Sequence, residues 1–172
     1  MMIFVWAIGF VLLLFCLTAL TGAPYVPSHR SDIRELFTDG MKLKESDTVL
    51  DIGAGDGVVL IEAAKAGARA IGYEINPLLV LVALWRTRKY RDRISVVWAN
   101  AWRRVPSEDI ITVLYAFGDG RDIKKMYQLA KKQARAQQEK ITFVSYAFSV
   151  PEIKGTEVGP YMVYEVFTDD QP

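Results

Sequence analysis

The residues with the greatest chemical potential lie in the stretch DIGAGDG, residues 51–57, and at Glu74, 19 residues beyond Gly55. Asp51 and Asp56 place two carboxylates on a bend where Gly53 and Gly55 permit unusual backbone angles and close approach of a ligand. Gly57 lets the following helix pack tightly. A dinucleotide pyrophosphate fits such a loop badly, because the carboxylates repel the phosphates where a helix amino terminus should attract them. A cationic ligand without phosphate fits better. S-adenosylmethionine, which carries an ammonium, a carboxylate and a sulfonium, has that charge pattern. Glu74, at the end of the next strand, is then placed to accept hydrogen bonds from both ribose hydroxyls. An ordinary tight turn and a solvated strand-end carboxylate are the alternatives.

Other chemistries are removed by what is scarce. One cysteine, Cys16, and one histidine, His29, cannot furnish a zinc site or a disulfide framework within one chain. A serine triad would have to use His29, which sits in a Pro-flanked stretch far in sequence from any strand-to-helix serine turn. No metal site is expected.

The elements that must position the glycine bend follow from the apolar pattern. A strand at residues 48–52 runs into the bend, and apolar residues at helical spacing over 58–66 end at Gly67. The alternation continues with a strand at 70–74, a helix at 77–90 opened by Pro77, strands at 94–99 and 110–116, a helix at 122–138 and a strand at 141–148. A helix at 31–37 precedes this series and a strand at 161–167 follows it. The class is α/β, a Rossmann-like doubly wound, mostly parallel sheet with one or two antiparallel strands at its carboxyl end. On helix 122–138, Lys124, Lys125, Lys131, Lys132 and Arg135 lie opposite Ile123, Met126 and Leu129, an amphipathic face with solvated charges.

The amino-terminal part belongs to a different solvent. All 21 basic and 20 acidic residues lie at or after Arg30. Residues 2–21 are uncharged and as a helix would reach about 30 Å, the thickness of a bilayer's hydrocarbon core. With no basic residue before this run, a retained anchor is favoured over a cleaved leader. The expected organisation is an anchor at 1–22, a linker at 23–30 and a catalytic domain at 31–172. Arg30, Arg34, Lys42 and Lys44 follow the run, so the positive-inside rule puts a single-pass protein's domain in the cytoplasm.

The chain resembles the class I, seven-strand S-adenosylmethionine-dependent methyltransferases in VLDIGAGDG, residues 49–57, and in GYEINP, residues 72–77. Within them it is most similar to the membrane-anchored protein-lysine methyltransferases, whose mitochondrial members modify the ATP synthase c subunit and the adenine nucleotide translocase. The hydrophobic start, PYVPS at 24–28, VLYA at 113–116 and VSYAF at 144–148 carry that likeness. It implies that Tyr25 and Ser28 fold over the cofactor. Asp51, Gly53 and Gly55, with Asp56 beside them, would hold the methionine part. Glu74 would hold the ribose and Asn100 would meet the adenine amino group, with Ile75 and Ala101 as further cofactor-binding residues. Asn100 stands where the family usually has aspartate, and FGDG at 117–120 departs from the apolar, proline-bearing turn expected there.

Methyl transfer to an amine is an in-line displacement that needs alignment and a neutral nucleophile, so the absence of a catalytic histidine is no obstacle. Tyr25, Tyr115 and Phe148 would form an aromatic rim for the amine, and the Ser145 hydroxyl would accept a hydrogen bond from it. The implied partners are a membrane-associated protein substrate and the lipid bilayer. Nucleic acid is disfavoured, since the Asn/Asp-Pro-Pro-Tyr/Phe motif of base and amide methylation is missing after the fourth strand. Methylation of a membrane-resident small molecule, such as a quinone or lipid precursor, and a non-catalytic tethered adaptor remain the alternatives.

Overall fold

Strands that lie in the middle of a covered parallel sheet must be apolar on both faces, and the first two strands have that character. In the computed structural model, which describes residues 2, 4–6, 8–10, 29–118 and 120–168, β1 (Thr48–Ile52) and β2 (Arg69–Glu74) are buried along nearly their whole length. They are joined by α2 (Val58–Lys65), and α3 (Pro77–Thr87) leads from β2 to β3 (Ile94–Trp98). A short helix, α1 (Arg30–Glu35), precedes β1 and widens into a π-helical turn over Leu36–Gly40. After β3 come α4 (Ala101–Arg104), β4 (Val113–Ala116), α5 (Ile123–Gln137), β5 (Ile141–Tyr146), β6 (Thr156–Val158) and β7 (Tyr161–Val166).

The sheet has seven strands in the order β3-β2-β1-β4-β5-β7-β6. The first five are parallel, β7 is antiparallel to β5, and β6 is antiparallel to β7. Right-handed crossovers that run outward from β1 place α2 and α3 on one face. The chain then returns to β4 and runs the other way, which places α5 on the opposite face. The two cores follow this division. Leu60, Val113, Tyr115, Val144 and Phe37 pack on the α1–α2 side, and Leu50, Leu114, Phe143, Tyr127 and Ala130 on the α5 side. The reversal falls between β1 and β4, the crevice where sheets of this topology bind ligands.

Several boundaries differ from the sequence reading. The fourth strand starts at Val113, not at 110, because the Gln137 side chain from α5 satisfies Ile111 instead, accepting from its N–H at 3.0 Å and donating to its carbonyl at 2.7 Å. The helix at 77–90 is α-helical to Thr87 and closes as a 3₁₀ turn over Arg88–Tyr90. Lys131 is buried, unlike the other basic residues of α5. Residues 2, 4–6 and 8–10 are helical. Among the described residues no helix is long and apolar enough to cross a membrane. Most of the uncharged run, with Tyr25 and Ser28, lies outside the described residues.

Candidate functional site

The bend after β1 is held down by β2. The N–H groups of Gly53 and Ala54 both donate to the Tyr73 carbonyl, at 2.8 and 3.0 Å. Gly53, with φ +116°, is a position for glycine alone. A Cβ there would meet nothing within 4 Å, so bare backbone faces open space at the strand ends. Gly57 has the other use: its missing side chain admits Thr87 and Ala83 of α3, with Thr87 Cγ2 3.1 Å from where a Cβ would stand.

Glu74 is buried at the end of β2, and both its oxygens are engaged. Oε2 accepts from the Gly55 N–H at 2.8 Å and Oε1 from the Asn76 N–H at 2.7 Å. Each carboxylate oxygen keeps a further lone pair, so the group is fixed in place without being exhausted. Asn76 caps α3, its side chain accepting from the Leu78 N–H at 3.0 Å. The sequence reading passed over this residue, although Asn before Pro at a helix start is a capping signal.

Asp51 is only 2% exposed and lies in register with Gly72 on one side and Tyr115 on the other. Burial above all, and then the facing charge of Glu74, push its pKa up to about 8. A carboxyl buried this way takes its charge readily only when a cation or donor arrives beside it. Asp56 has found its cation already, in an ion pair with Arg86 of α3, and it also accepts from the Val58 N–H at 3.2 Å. Sequence spacing gave no sign of that pair, since the two residues meet only because α2 and α3 share a face.

Gly72 shows how tightly the bend is bedded. A Cβ on it would lie 2.7 Å from both Ala54 Cβ and Leu60 Cδ1. Gly72→Ala is therefore expected to cost about 1–3 kcal/mol through overpacking and to weaken ligand binding by lifting Ala54. Thermal melts and ligand titration check this, and an unchanged melting temperature would refute the packing.

Asn100 caps α4: its side-chain oxygen accepts from the Trp102 N–H at 3.0 Å, and its carbonyl receives Arg103 and Arg104. It stands beside the end of β2, because the Ala99 N–H donates to the Glu74 carbonyl at 3.0 Å. Ile75 is exposed at the same edge, where its carbonyl accepts from the Trp98 indole at 2.9 Å, and Ala101 packs at the margin of the α5-side core. Asp51, Gly53, Gly55, Glu74, Ile75, Asn100 and Ala101 are thus gathered around the carboxyl ends of β1, β2 and β3.

The residues expected around the amine are more scattered. Tyr115 is fully buried, its ring edge-on to Phe37 at 6.4 Å and tilted against Tyr161 at 6.1 Å. Ser145 pairs with Ala116 across β4 and β5 while Tyr115 pairs with Val144, so Ser145 and Tyr115 point to opposite faces. The Ser145 hydroxyl is buried without a hydrogen-bond partner among the described residues. Phe148 is exposed in the loop after β5 and lies against Gly120. The sequence reading missed Phe117 and Tyr146, half-buried rings stacked at 4.8 Å and 23° where β4 and β5 end.

The arrangement suits a cationic nucleoside: an open glycine bend, a buried carboxyl lacking its cation and a fixed carboxylate beside it. Comparison with known proteins agrees in fold and family. The ATP synthase c-subunit lysine N-methyltransferase of Xenopus laevis is 32% identical over 134 residues, covering 74% of this chain and 54% of the relative. A protein-lysine N-methyltransferase of Saccharolobus islandicus is 30% identical over 106 residues, 59% of this chain and 65% of that protein. The chain spans about half the length of the vertebrate relatives it matches. A Salinibacter ruber RNA methyltransferase, solved with S-adenosyl-L-homocysteine, superposes with a TM-score of 0.68 at 22% identity, over 86% of this chain and 96% of that one; this likeness concerns the fold. The family described as the ANTKMT methyltransferase domain matches residues 51–157, and the chain belongs to that family.

Proposed function

We propose that this protein is a membrane-anchored, S-adenosylmethionine-dependent methyltransferase that modifies a lysine of a membrane-associated protein. The observation that carries the reading is the donor-poor Asp51 buried beside Glu74 at an open glycine bend. Family membership and the lysine methyltransferases among its relatives support the acceptor. The uncharged run at 2–21 supports the anchor, and the basic residues after it support a cytoplasmic domain.

When bound, S-adenosylmethionine would supply a methyl carbon activated by its sulfonium, to which a neutral amine nitrogen bonds as the carbon–sulfur bond breaks and S-adenosylhomocysteine leaves. The protein's own residues bind and align. Glu74, pinned by two backbone N–H groups, offers its remaining lone pairs to the ribose hydroxyls. Asp51 answers the positive charge, Gly53 and Gly55 let the methionine part approach the backbone, and Asp56 holds the bend to α3 through Arg86. Ile75 and Ala101 would line the cofactor beside Glu74 and Asn100, and the Asn100 side-chain oxygen, which also accepts from the Trp102 N–H, would receive the adenine amino group. Ser28 and Tyr25 would cover the cofactor. The Phe117–Tyr146 pair presents ring faces to the incoming lysine, with Tyr115 packed beneath and Phe148 at the rim. Desolvation in this apolar, cation-bearing site favours the neutral lysine, whose proton passes to solvent.

The test is incubation of the detergent-solubilised full chain with cognate membranes and S-adenosylmethionine labelled in its methyl group. Label is expected on a lysine of a membrane polypeptide. Label confined to extracted lipid would replace the acceptor by a small molecule, and no transfer by protein that binds the cofactor would leave a tethered adaptor.

A further inference from the structure

A helix that is apolar on every side is stable where every side is covered. Within the described residues α3 does not meet that condition. Val80, Ala83 and Thr87 are buried, whereas Leu81, Val82, Leu84 and Trp85 are exposed, Leu81 by 63% and Trp85 by 66%. No charged or polar residue interrupts the helix between Pro77 and Trp85.

The ends of this apolar ridge are chemically distinct. Leu78, Leu81, Trp85 and Arg88 are spaced 3, 4 and 3 residues apart and so form one line along the helix. The Arg88 guanidinium lies 4.6 Å from the Trp85 ring centroid and donates to the Trp85 carbonyl at 2.7 Å. Lys89 and Arg91 follow, both exposed. At the other end, the Trp98 indole, on a residue 68% exposed, is tied to the carbonyl of Ile75 just ahead of the helix. The helix itself bears no carboxylate, and the nearby Asp56 is paired with Arg86.

We propose that the outer face of α3 docks on an anionic bilayer surface. Leu81, Val82 and Leu84 enter the acyl boundary, Trp85 and Trp98 lie at headgroup level, and Arg88, Lys89 and Arg91 meet lipid phosphates. Tryptophan prefers that interface because one part of the ring is apolar and its N–H is polar. Clustered basic residues are drawn to anionic headgroups over about a Debye length. A second copy of the chain is a poorer occupant, since its own α3 supplies no carboxylate to meet the basic end. Docking here adds a contact independent of any amino-terminal tether and turns the β2–β3 end of the site toward the membrane. The inference does not depend on the methyl-transfer reading.

The experiment uses the full chain carrying Cys16→Ala and Leu81→Cys, labelled with an environment-sensitive fluorophore and reconstituted into vesicles. Phosphatidylcholine alone is compared with phosphatidylcholine mixed with phosphatidylglycerol. In the anionic vesicles the Leu81 label is expected to shift to the blue and lose emission to doxyl-labelled lipid, with less effect in phosphatidylcholine or at high salt. A label at Lys132→Cys, on the exposed side of α5, should show neither change. Charge reversal by Arg88→Glu, Lys89→Glu and Arg91→Glu should remove the quenching while the thermal melt is kept. An unquenched Leu81 label in anionic vesicles that carry the protein, equal quenching at Lys132, or failure to float with the vesicles would overturn the proposal. So would a blue shift in detergent that disappears on dilution, which would assign the face to a second copy.

Discussion

Glu74→Gln is expected to lower S-adenosylmethionine affinity by about 10²-fold or more, the equivalent of two hydrogen bonds to a carboxylate at about 1.5–3 kcal/mol each. The wild-type carboxylate accepts from two backbone N–H groups at once, those of Gly55 and Asn76, and only a group with acceptors at both ends can do so. Glutamine has one acceptor end. Its NH₂ would confront one of those N–H donors, so the side chain must turn away and the Gly55 bend loses its tie to β2. Affinity is read by calorimetry with S-adenosylmethionine and S-adenosylhomocysteine, and folding by the cooperativity of the thermal melt. A folded variant that binds normally would remove Glu74 from the site.

Asp51→Asn is expected to move stability and binding in opposite directions. With a folded pKa of about 8 against an ordinary 3.8, the folded protein holds one more proton than the unfolded chain between those values. Stability of the ligand-free wild type therefore falls as pH rises from about 4 to about 8, with a limiting slope of about 1.4 kcal/mol per pH unit, and levels off above that. Asparagine has no such proton. The variant should melt at roughly the wild-type temperature near pH 4 and roughly 10–20 °C above it near pH 9, while binding the cofactor at least about tenfold more weakly where the wild-type carboxylate is charged. Cofactor binding by the wild type at neutral pH should also release protons, up to about one per site, seen as a dependence of the calorimetric heat on the buffer's ionisation enthalpy. Melting curves that run parallel across this pH range would show that Asp51 does not carry the proton.

The two carboxyl groups differ in how far local information reaches. The glycine bend, the strand before it, the helix after it and Glu74 at the next strand end were all legible, because each depends on residues adjacent in the chain. The periodicity of β1 and β2, the φ > 0 positions at Gly53, Gly55 and Gly57, and the strand-end placement of Glu74 need no distant partner. Other features were illegible for an equally physical reason. β6 is three residues long and mostly exposed, too short to display an alternation. Tyr115, the foremost candidate by its strand-end position, and Phe148 both read in the sequence as members of one aromatic rim, but strand parity gives a side chain's face and not its depth, and depth separates the buried ring from the exposed one.

From the order of residues alone it follows that a bend rich in glycine and flanked by carboxylates sits at the end of a parallel strand, since turn chemistry and strand periodicity are fixed within a few bonds. The separate role of each carboxylate waits on assembly of the sheet. Packing α2 on α3 gave Asp56 to Arg86, folding the bend onto β2 fixed Glu74 between two N–H groups, and enclosing β1 between β2 and β4 stripped the water from Asp51. The three carboxyl groups begin alike and diverge because solvation and charge depend on through-space neighbours, which no stretch of adjacent residues specifies.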